Sequence, residues 1–311
     1  MFLKISINPV LDNLKINFDT NGLWALNITL AIIMFGVSLG ITIDDFKRLF
    51  KNPKLFLTGV FSQFLLFPFI TFLLINIINP EPSIALGMIM VAACPGGNIS
   101  NFMTQLSGGN AALSVSLTAF ATLVAVMMTP INLEFWGNLY APTSEILRTV
   151  ELDPFELVKL VTLILGIPLI LGMSFRKKFP NLAIKIASYL KPLSIVIFLI
   201  FIIIAFSQNL DIFMNYIHYV FLIVLLHNFS GYMGGFYFAK AMKLPYFEQK
   251  TLALETGIQN SGLGLLLFFN FFEDSGLGGM ALCIAFWGIW DIISGLGLAY
   301  YWSKKAVKIT T

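Results

Sequence analysis

Residues 94–104 read CPGGNISNFMT, and they follow the almost wholly apolar run IALGMIMVAA of residues 84–93. Pro95 removes one backbone donor and clashes with the preceding turn. Gly96 and Gly97 let the chain leave helical geometry at little cost. Unwound backbone in apolar surroundings survives only where it lines a cavity or is buried in protein. The stretch therefore predicts a broken helix at a functional site.

The composition places this stretch in a membrane. Of the 311 residues, 58% are hydrophobic and only 11% are charged, whereas a soluble domain carries about 25% charged residues. Apolar stretches of about 20 residues, the length that a spanning helix requires, recur along the chain. We expect an all-α polytopic membrane protein of the cell (inner or plasma) membrane with nine spans. They cover 23–43, 55–78, 84–107, 111–131, 157–175, 192–208, 216–238, 251–272 and 280–302.

The positive charges predict the orientation of the chain. Cytoplasmic loops carry an excess of Lys and Arg. When the segments between spans are assigned alternately to two sides, all but four of the 19 Lys and Arg residues fall on one side. We expect the N-terminus outside, the C-terminus in the cytoplasm, and an acidic outer loop at 132–156. The net charge of +3 thus reflects topology and indicates no nucleic-acid partner. The four exceptions are Lys4, Lys15, Arg148 and Lys159.

The first twenty residues are too polar for a span or a signal peptide. Ile7, Val10, Leu11 and Leu14 would share one helical face. Residues 1–20 are therefore predicted to form an extracytoplasmic segment, either a short helix on the membrane surface or a frayed tail.

A second polar patch, LETGIQNSGLGLL at 254–266, lies in span eight. Its Glu255 and the Asp291 of span nine are the two carboxylates within predicted spans. A mid-membrane charge costs about 2.5–3.5 kcal/mol and marks an ion or substrate path. Paired interrupted helices indicate the site of a secondary transporter. The alternative, a small-residue packing face, suits Gly231, Gly234 and Gly235 better than either patch.

The two patches occupy corresponding places in two units of three spans, spans two to four and spans seven to nine. An odd number of spans per unit means that the units run in opposite directions. We therefore expect inverted repeats whose broken helices cross near the membrane centre.

Five segments together resemble the bile acid:sodium symporter family: FSQFLLFP, CPGGNISN, GGNAALSVSLTAFATL, LHNFSGYMGGF and ETGIQNSGLG. The match runs from about residue 23 to residue 302. The resemblance implies one membrane transporter domain over 1–311, with a core of two crossing discontinuous helices beside a panel. The core would comprise 55–131 and 216–302, and the panel 23–43 and 157–208.

The resemblance also implies two sodium ions behind the crossing, bound by oxygen donors, as a hard cation prefers. The first ion would use the side chains of Ser100, Asn101, Ser114, Thr118 and Glu255. The second would use the side chains of Gln63, Glu255 and Gln259 and the backbone oxygens of Thr256 and Ile258. Asn98 and Asn260, at the crossing, are the candidates for substrate contact, and Asp291 is placed near the same cavity.

Two departures from the family are informative. Bacterial relatives commonly have one more span, and some carry His-Asn where this chain has Asp291-Ile292. Asp291 is interpreted as a proton or cation ligand, or as a carboxylate that reaches cytoplasmic water. A fixed negative charge there discourages a nearby anion, so bile acids do not carry over as the substrate with the fold.

The sequence therefore favours sodium-coupled symport, by alternating access, of an organic anion that is bile-acid-like or a small carboxylate such as pantoate. One alternative is a sodium-independent carrier or a metalloid exporter of the related arsenite-carrier family, which Cys94 beside Pro95 would suit. That family has the order Pro-Cys, however, and the sodium-ligand set is complete here. A non-transporting receptor stays open. An enzyme is disfavoured because the HExxH and GxSxG motifs are absent.

Overall fold

The computed structural model describes residue 11 and residues 20–208 and 210–309, and the regular structure in these ranges is helical. The first eight helices are α1 Thr20–Ser38, α2 Ile43–Lys51, α3 Pro53–Phe61, α4 Phe67–Ile78, α5 Pro82–Ala93, α6 Ile99–Leu106, α7 Ala111–Leu139 and α8 Ala141–Thr149. The others are α9 Pro154–Val161, α10 Ile167–Lys178, α11 Pro180–Gln208, α12 Leu210–Ala241, α13 Tyr246–Gly257, α14 Ser261–Phe271 and α15 Gly278–Ile309. The surface segment predicted at 1–20 lies outside the described residues, apart from Leu11 and Thr20.

Several of these helices can cross a bilayer. In the described ranges, five helical runs are long and apolar enough, and a sixth results if Asn27–Ser38 and Ile43–Lys51, bent by 67°, count as one span. Two shorter apolar helices, Pro82–Ala93 and Ser261–Phe271, flank the two polar patches. The chain is therefore an integral multi-pass membrane protein, as its composition predicted. The five long runs are Pro53–Ile78, Ala111–Leu139, Pro154–Lys178, Met214–Ala241 and Gly278–Lys304.

The prediction of a long loop at 132–156 is wrong over most of its length, because the segment is largely helical. Helix α7 continues through Pro130 to Leu139, and α8 follows almost at once. The Thr143 hydroxyl donates to the Gly137 carbonyl oxygen at 2.6 Å, and the buried Leu147 packs where a side chain at Gly137 would lie. The segment reads as a loop because its acidic residues interrupt the apolar pattern, whereas buried residues such as Leu147 fix α8 against α7.

Two π-helical turns interrupt otherwise α-helical runs. Ser62–Leu66 joins α3 to α4, and Thr162–Gly166 joins α9 to α10. Each turn is followed by a proline two residues later, Pro68 and Pro168. A proline lacks the amide that an α-helical ladder needs at that place, and π turns are frequent at functional sites. The first turn carries Gln63, one of the predicted sodium ligands.

The glycines of α12 let α13 approach its backbone closely. A Cβ at Gly231 would lie 3.1 Å from Gly257 Cα and 3.2 Å from the Thr256 carbonyl oxygen. In the same contact, Asn228 Nδ2 donates to the Gly257 carbonyl oxygen at 2.8 Å. The prediction that these glycines serve packing is confirmed, and this packing sets the position of the helix that carries Glu255.

Candidate functional site

Two helices are broken at the polar patches, and their breaks lie side by side. Helix α5 ends at Ala93 and α6 begins at Ile99, while α13 ends at Gly257 and α14 begins at Ser261. Gly97 N donates to the Ile258 carbonyl oxygen at 3.0 Å, and Asn260 N donates to the Pro95 carbonyl oxygen at 2.9 Å. The unwound strands run antiparallel and satisfy part of each other's backbone polarity, which apolar surroundings require. The structure thus contains the crossing that the sequence predicts.

Both glycines of the first break are needed for this approach. A Cβ at Gly97 would lie 3.0 Å from the Gln259 carbonyl oxygen. A Cβ at Gly96 would lie 3.1 Å from the Glu255 carbonyl oxygen and would collide with the Gln63 amide. The space that a methyl group would fill is occupied by the backbone of the second broken helix.

Glu255 is the centre of the first predicted ligand set. Its side chain is fully buried at the end of α13. Its Oε1 accepts from the hydroxyls of Ser100 and Ser114, and its Oε2 accepts from Thr118 Oγ1 at 2.9 Å. Asn101 Oδ1 lies 2.8 and 3.2 Å from the same Ser114 and Thr118 hydroxyl oxygens, so the single proton of each hydroxyl is shared between Asn101 and Glu255. Helices α6, α7 and α13 therefore bring all five predicted side chains into one hydrogen-bonded cluster.

The second predicted set lies against the first. Gln63 Nε2 donates to the Glu255 backbone oxygen at 3.1 Å and approaches its Oε2 at 3.5 Å. Gln259 Nε2 donates to the Thr256 carbonyl oxygen at 2.8 Å, whereas Gln259 Oε1 is buried without a hydrogen-bond partner. The Ile258 carbonyl oxygen accepts from the crossing strand. A buried oxygen without a hydrogen-bond partner is a place where a cation fits.

The hydrogen-bonded side-chain partners of Glu255 are neutral. Ser100, Ser114 and Thr118 contribute hydroxyl groups, and Gln63 contributes an amide. A buried carboxylate without a cationic partner is costly in a membrane. The cluster therefore has the chemistry of a site that receives a hard cation or a proton.

A cavity of about 540 Å³ adjoins the crossing. Helices α1, α6, α7 and α15, the second π turn and the second break line it, and the predicted substrate residues Asn98, Asn260 and Asp291 all do so. Glu255 does not belong to this lining. Asn98 Oδ1 is buried without a partner, and Asn260 Oδ1 accepts from Leu263 N at the start of α14. Asn101 and Thr118 of the carboxylate cluster line the cavity, as does Gln259, so the cluster adjoins a solute-sized cavity.

Asp291 is only 4% exposed, which argues against the interpretation that its carboxylate reaches open cytoplasmic water.

Cys94 is fully buried and does not belong to the cavity lining. His227 is stacked on Phe67 and shares a hydrogen bond with Thr71 at 2.7 Å. Neither of these last two side chains faces the cavity.

Sequence reasoning missed one residue that supports the site. The hydroxyls of Ser62 and Thr256 share a hydrogen bond of 2.7 Å, which ties the first π turn to the residue after Glu255. The serine precedes Gln63 inside the FSQ segment, so the family motif contains it, but no rule of spacing relates it to Thr256.

An all-helical multi-pass membrane protein with two crossing interrupted helices, a buried carboxylate cluster and an adjoining cavity has the architecture of a secondary transporter. The model of the Sodium Bile acid symporter family matches residues 27–216. The chain belongs to this family, and it is a transporter rather than an enzyme.

The relatives agree with this assignment. The "Uncharacterized sodium-dependent transporter YocS" of Bacillus subtilis is 37% identical over 284 residues, which cover 91% of this chain and 84% of that protein. The "Probable sodium/metabolite cotransporter BASS1, chloroplastic" of Arabidopsis thaliana is 28% identical, over 92% of this chain and 68% of its own length. "Sodium/bile acid cotransporter 5" of Rattus norvegicus is 28% identical, over 80% and 57%. Sodium-coupled transport is the property that these names share.

Proposed function

We propose that the protein is a symporter that moves an organic anion, bile-acid-like or a small carboxylate such as pantoate, together with two sodium ions by alternating access. The observation that carries the proposal is the position of Glu255. It is a fully buried carboxylate whose side-chain partners are neutral oxygen-bearing groups, next to a crossing that lines a cavity.

The first sodium ion would lie among the side chains that now surround Glu255. The hydroxyls of Ser100, Ser114 and Thr118 donate to the carboxylate. A hydroxyl rotates freely and carries two acceptor lone pairs, so a cation would turn the same oxygens from donors into ligands. Asn101 Oδ1, already held against two of these hydroxyls, completes the set.

The second sodium ion would lie between Glu255 and the backbone of the second break. Gln259 Oε1, buried and without a partner, supports this site. Gln63 directs its amide nitrogen at Glu255, and because the oxygen and nitrogen of an amide exchange on a half-turn, a cation would favour the reversed orientation. The carbonyl oxygens of Thr256 and Ile258 supply the remaining ligands.

The chain offers a direct route for coupling. Asn98 lines the cavity, whereas Ser100, two residues later, binds the Glu255 carboxylate. At the second break, the proposed sodium ligand Gln259 and the adjacent Asn260 both line the cavity. A ligand shifts an equilibrium only by its differential affinity for two states. Sodium ions that order these short segments would therefore raise the affinity of the cavity for its solute.

The energetics are sufficient for accumulation. A tenfold sodium gradient supplies about 1.4 kcal/mol for each ion. One net charge supplies about 2.3 kcal/mol per 100 mV. Two sodium ions with one monovalent anion would thus supply roughly 5 kcal/mol, enough for between three and four decades of solute accumulation.

The proposed domain division follows the same crossing. We propose nine spans in the cell membrane with an outside N-terminus, inverted repeats, a core of 55–131 and 216–302, and a panel of 23–43 and 157–208. Contacts of α1 with α10 and α11 support the panel. The cavity, lined by α1 and the second π turn on one side and by α6, α7 and α15 on the other, lies where core and panel would move against each other.

The experiment compares sodium with potassium. Purified protein in proteoliposomes should take up labelled pantoate or taurocholate only under an inward sodium gradient, and Glu255→Gln should abolish that uptake. Glu156→Gln, a substitution at a half-exposed carboxylate paired with Lys159 on α9, is the matched control. Uptake of every transported solute at equal rates in sodium and potassium would overturn the coupling.

A further inference from the structure

Asp291 stands out among the residues that line the cavity. In the described part of the chain, it is the one lining residue with a charged or titratable side chain; Lys, Arg and His are absent from the lining. The other polar groups there are amides and hydroxyls, and the walls contain apolar side chains such as Leu30, Met34 and Ile164. A site for an ordinary organic anion would be expected to offer a cation, and this cavity offers the opposite charge.

The position of Asp291 is fixed by close helix packing. A Cβ at Gly288 of α15 would meet the Ser261 side chain at the start of α14, and a Cβ at Gly295 would lie 3.0 Å from Ile258 Cδ1. Gly288, Asp291 and Gly295 are spaced three and four residues apart, so they share one helical face. The Asp291 residue therefore lies beside the crossing, about 4.5 Å along the axis from the contact with Ser261.

The Asp291 carboxylate has no side-chain donor among the described residues. The hydroxyls of Tyr232 and Ser294 approach its backbone carbonyl oxygen, at 3.5 and 3.4 Å, rather than its carboxylate. The group is 4% exposed and borders the cavity. A buried intramembrane carboxylate pairs with a positive charge as a rule. Glu255, the carboxylate that both proposed sodium ions share, does not line the cavity, so those ions are assigned to a different carboxylate.

We infer that the transported solute itself supplies it: Asp291 pairs with a protonated amine, and the substrate is an amphipathic zwitterion such as an amino acid with an apolar side chain. This inference rests on the proposed function for the anionic half of the solute. The N-termini of α6 and α14 both open on the cavity, where they favour an anionic group. The apolar walls receive the body of the solute, and a cavity of this volume is typical of small-molecule sites.

The test uses matched solutes that differ only in the amine. Purified protein is titrated with phenylalanine and phenyllactate, and with leucine and 2-hydroxyisocaproate, in sodium chloride and in potassium chloride, with displacement or the change in melting temperature as the readout. We expect the amine-bearing member to bind at least about tenfold more tightly, because a buried charge pair is lost in the hydroxy acid. Asp291→Asn should remove this preference. Asp44→Asn, at a carboxylate that is 73% exposed on α2, is the control and should retain it.

Each outcome of this experiment either supports or overturns the inference about Asp291. Equal or tighter binding of the hydroxy acids, no binding of either amino acid, or an amine preference that survives Asp291→Asn would each overturn the inference. Retained stabilisation of Asp291→Asn by sodium shows that this variant is folded; if it is not, Asp291→Glu replaces it and should keep the preference for the amine. An amine preference that is equal in sodium and potassium would contradict the sodium coupling but not the role of Asp291. Sodium-dependent binding that does not distinguish the amine from the hydroxyl would contradict the role of Asp291 but not the sodium coupling.

Discussion

Gly97 donates its backbone N–H to the carbonyl oxygen of Ile258 at 3.0 Å, and this bond joins the breaks of two helices that are far apart in sequence. Gly97 precedes Asn98, which lines the cavity, and Ile258 is a proposed sodium ligand through the same carbonyl oxygen. A displacement of either strand therefore reaches both the proposed ion site and the solute cavity. The crossing is the smallest structural unit that contains both.

Gly97→Ala should damage this unit. Its Cβ would press on the Gln259 carbonyl oxygen at 3.0 Å, and overpacking of this kind costs about 1–3 kcal/mol. We expect a lower melting temperature and loss of sodium-dependent stabilisation, measured by thermal unfolding of the purified protein in sodium and potassium. Gly297→Ala is the control because a Cβ there meets nothing within 4 Å. Equal melting temperatures for the two variants would show that the crossing tolerates a side chain.

Removal of one ligand from each proposed ion site should distinguish the contributions of the two sites to sodium binding. Ser114→Ala affects the first set and Gln259→Ala the second, whereas Glu255→Gln affects both. Each single-site variant should raise the sodium concentration needed for half-maximal stabilisation by at least about tenfold, since even outer partners of a metal site contribute that much. The cooperativity of the sodium titration should also fall. A titration curve of Gln259→Ala that superimposes on that of the unchanged protein would remove this residue from the ligand set.

At the contact between α12 and α13, the contribution of a hydrogen bond to the free energy of unfolding should depend on its burial rather than on its length. Asn228→Ala deletes a buried bond of 2.8 Å to the Gly257 carbonyl oxygen and leaves that oxygen without its donor, so we expect a loss of about 1–3 kcal/mol in the free energy of unfolding. Asn138→Ala deletes a similar bond of 2.9 Å to the Glu134 carbonyl oxygen on an exposed surface and should cost no more than about 0.5 kcal/mol. Denaturant or thermal unfolding in detergent measures both. Losses of equal size would contradict the argument from burial.

Cys94→Ala should leave sodium-dependent transport intact. The thiol is fully buried in the apolar core beside Gly264 and does not face the cavity. Its removal should cost about 1 kcal/mol of stability from the small void, as should Cys283→Ala, the matched control at the other buried cysteine. Transport assays in proteoliposomes check this. Transport that is lost in Cys94→Ala but retained in Cys283→Ala would restore the metalloid-exporter hypothesis.

Much of this protein could be predicted from its sequence because a bilayer restricts what a polar backbone can do. The low share of charged residues and the repeated apolar stretches required a multi-pass helical protein, and Pro95 with its two glycines required a break. The family motifs then indicated which oxygen-bearing side chains surround Glu255, and the structure brings those of the first set into one cluster. The segment at 132–156 misled because its acidic residues suggested an outer loop, whereas buried contacts such as that of Leu147 at Gly137 hold it helical.

Only the tertiary structure decided which of the two carboxylates lines the cavity. In the sequence, Glu255 and Asp291 are two acidic residues within apolar spans, and nothing local distinguishes them. In the fold, Glu255 is buried among neutral oxygens and does not line the solute cavity, whereas Asp291 does. The difference arises from the rotation and depth of α13 and α15. Close approaches at Gly231, Gly288 and Gly295 set these, and such approaches depend on atoms that the chain brings together only when it folds.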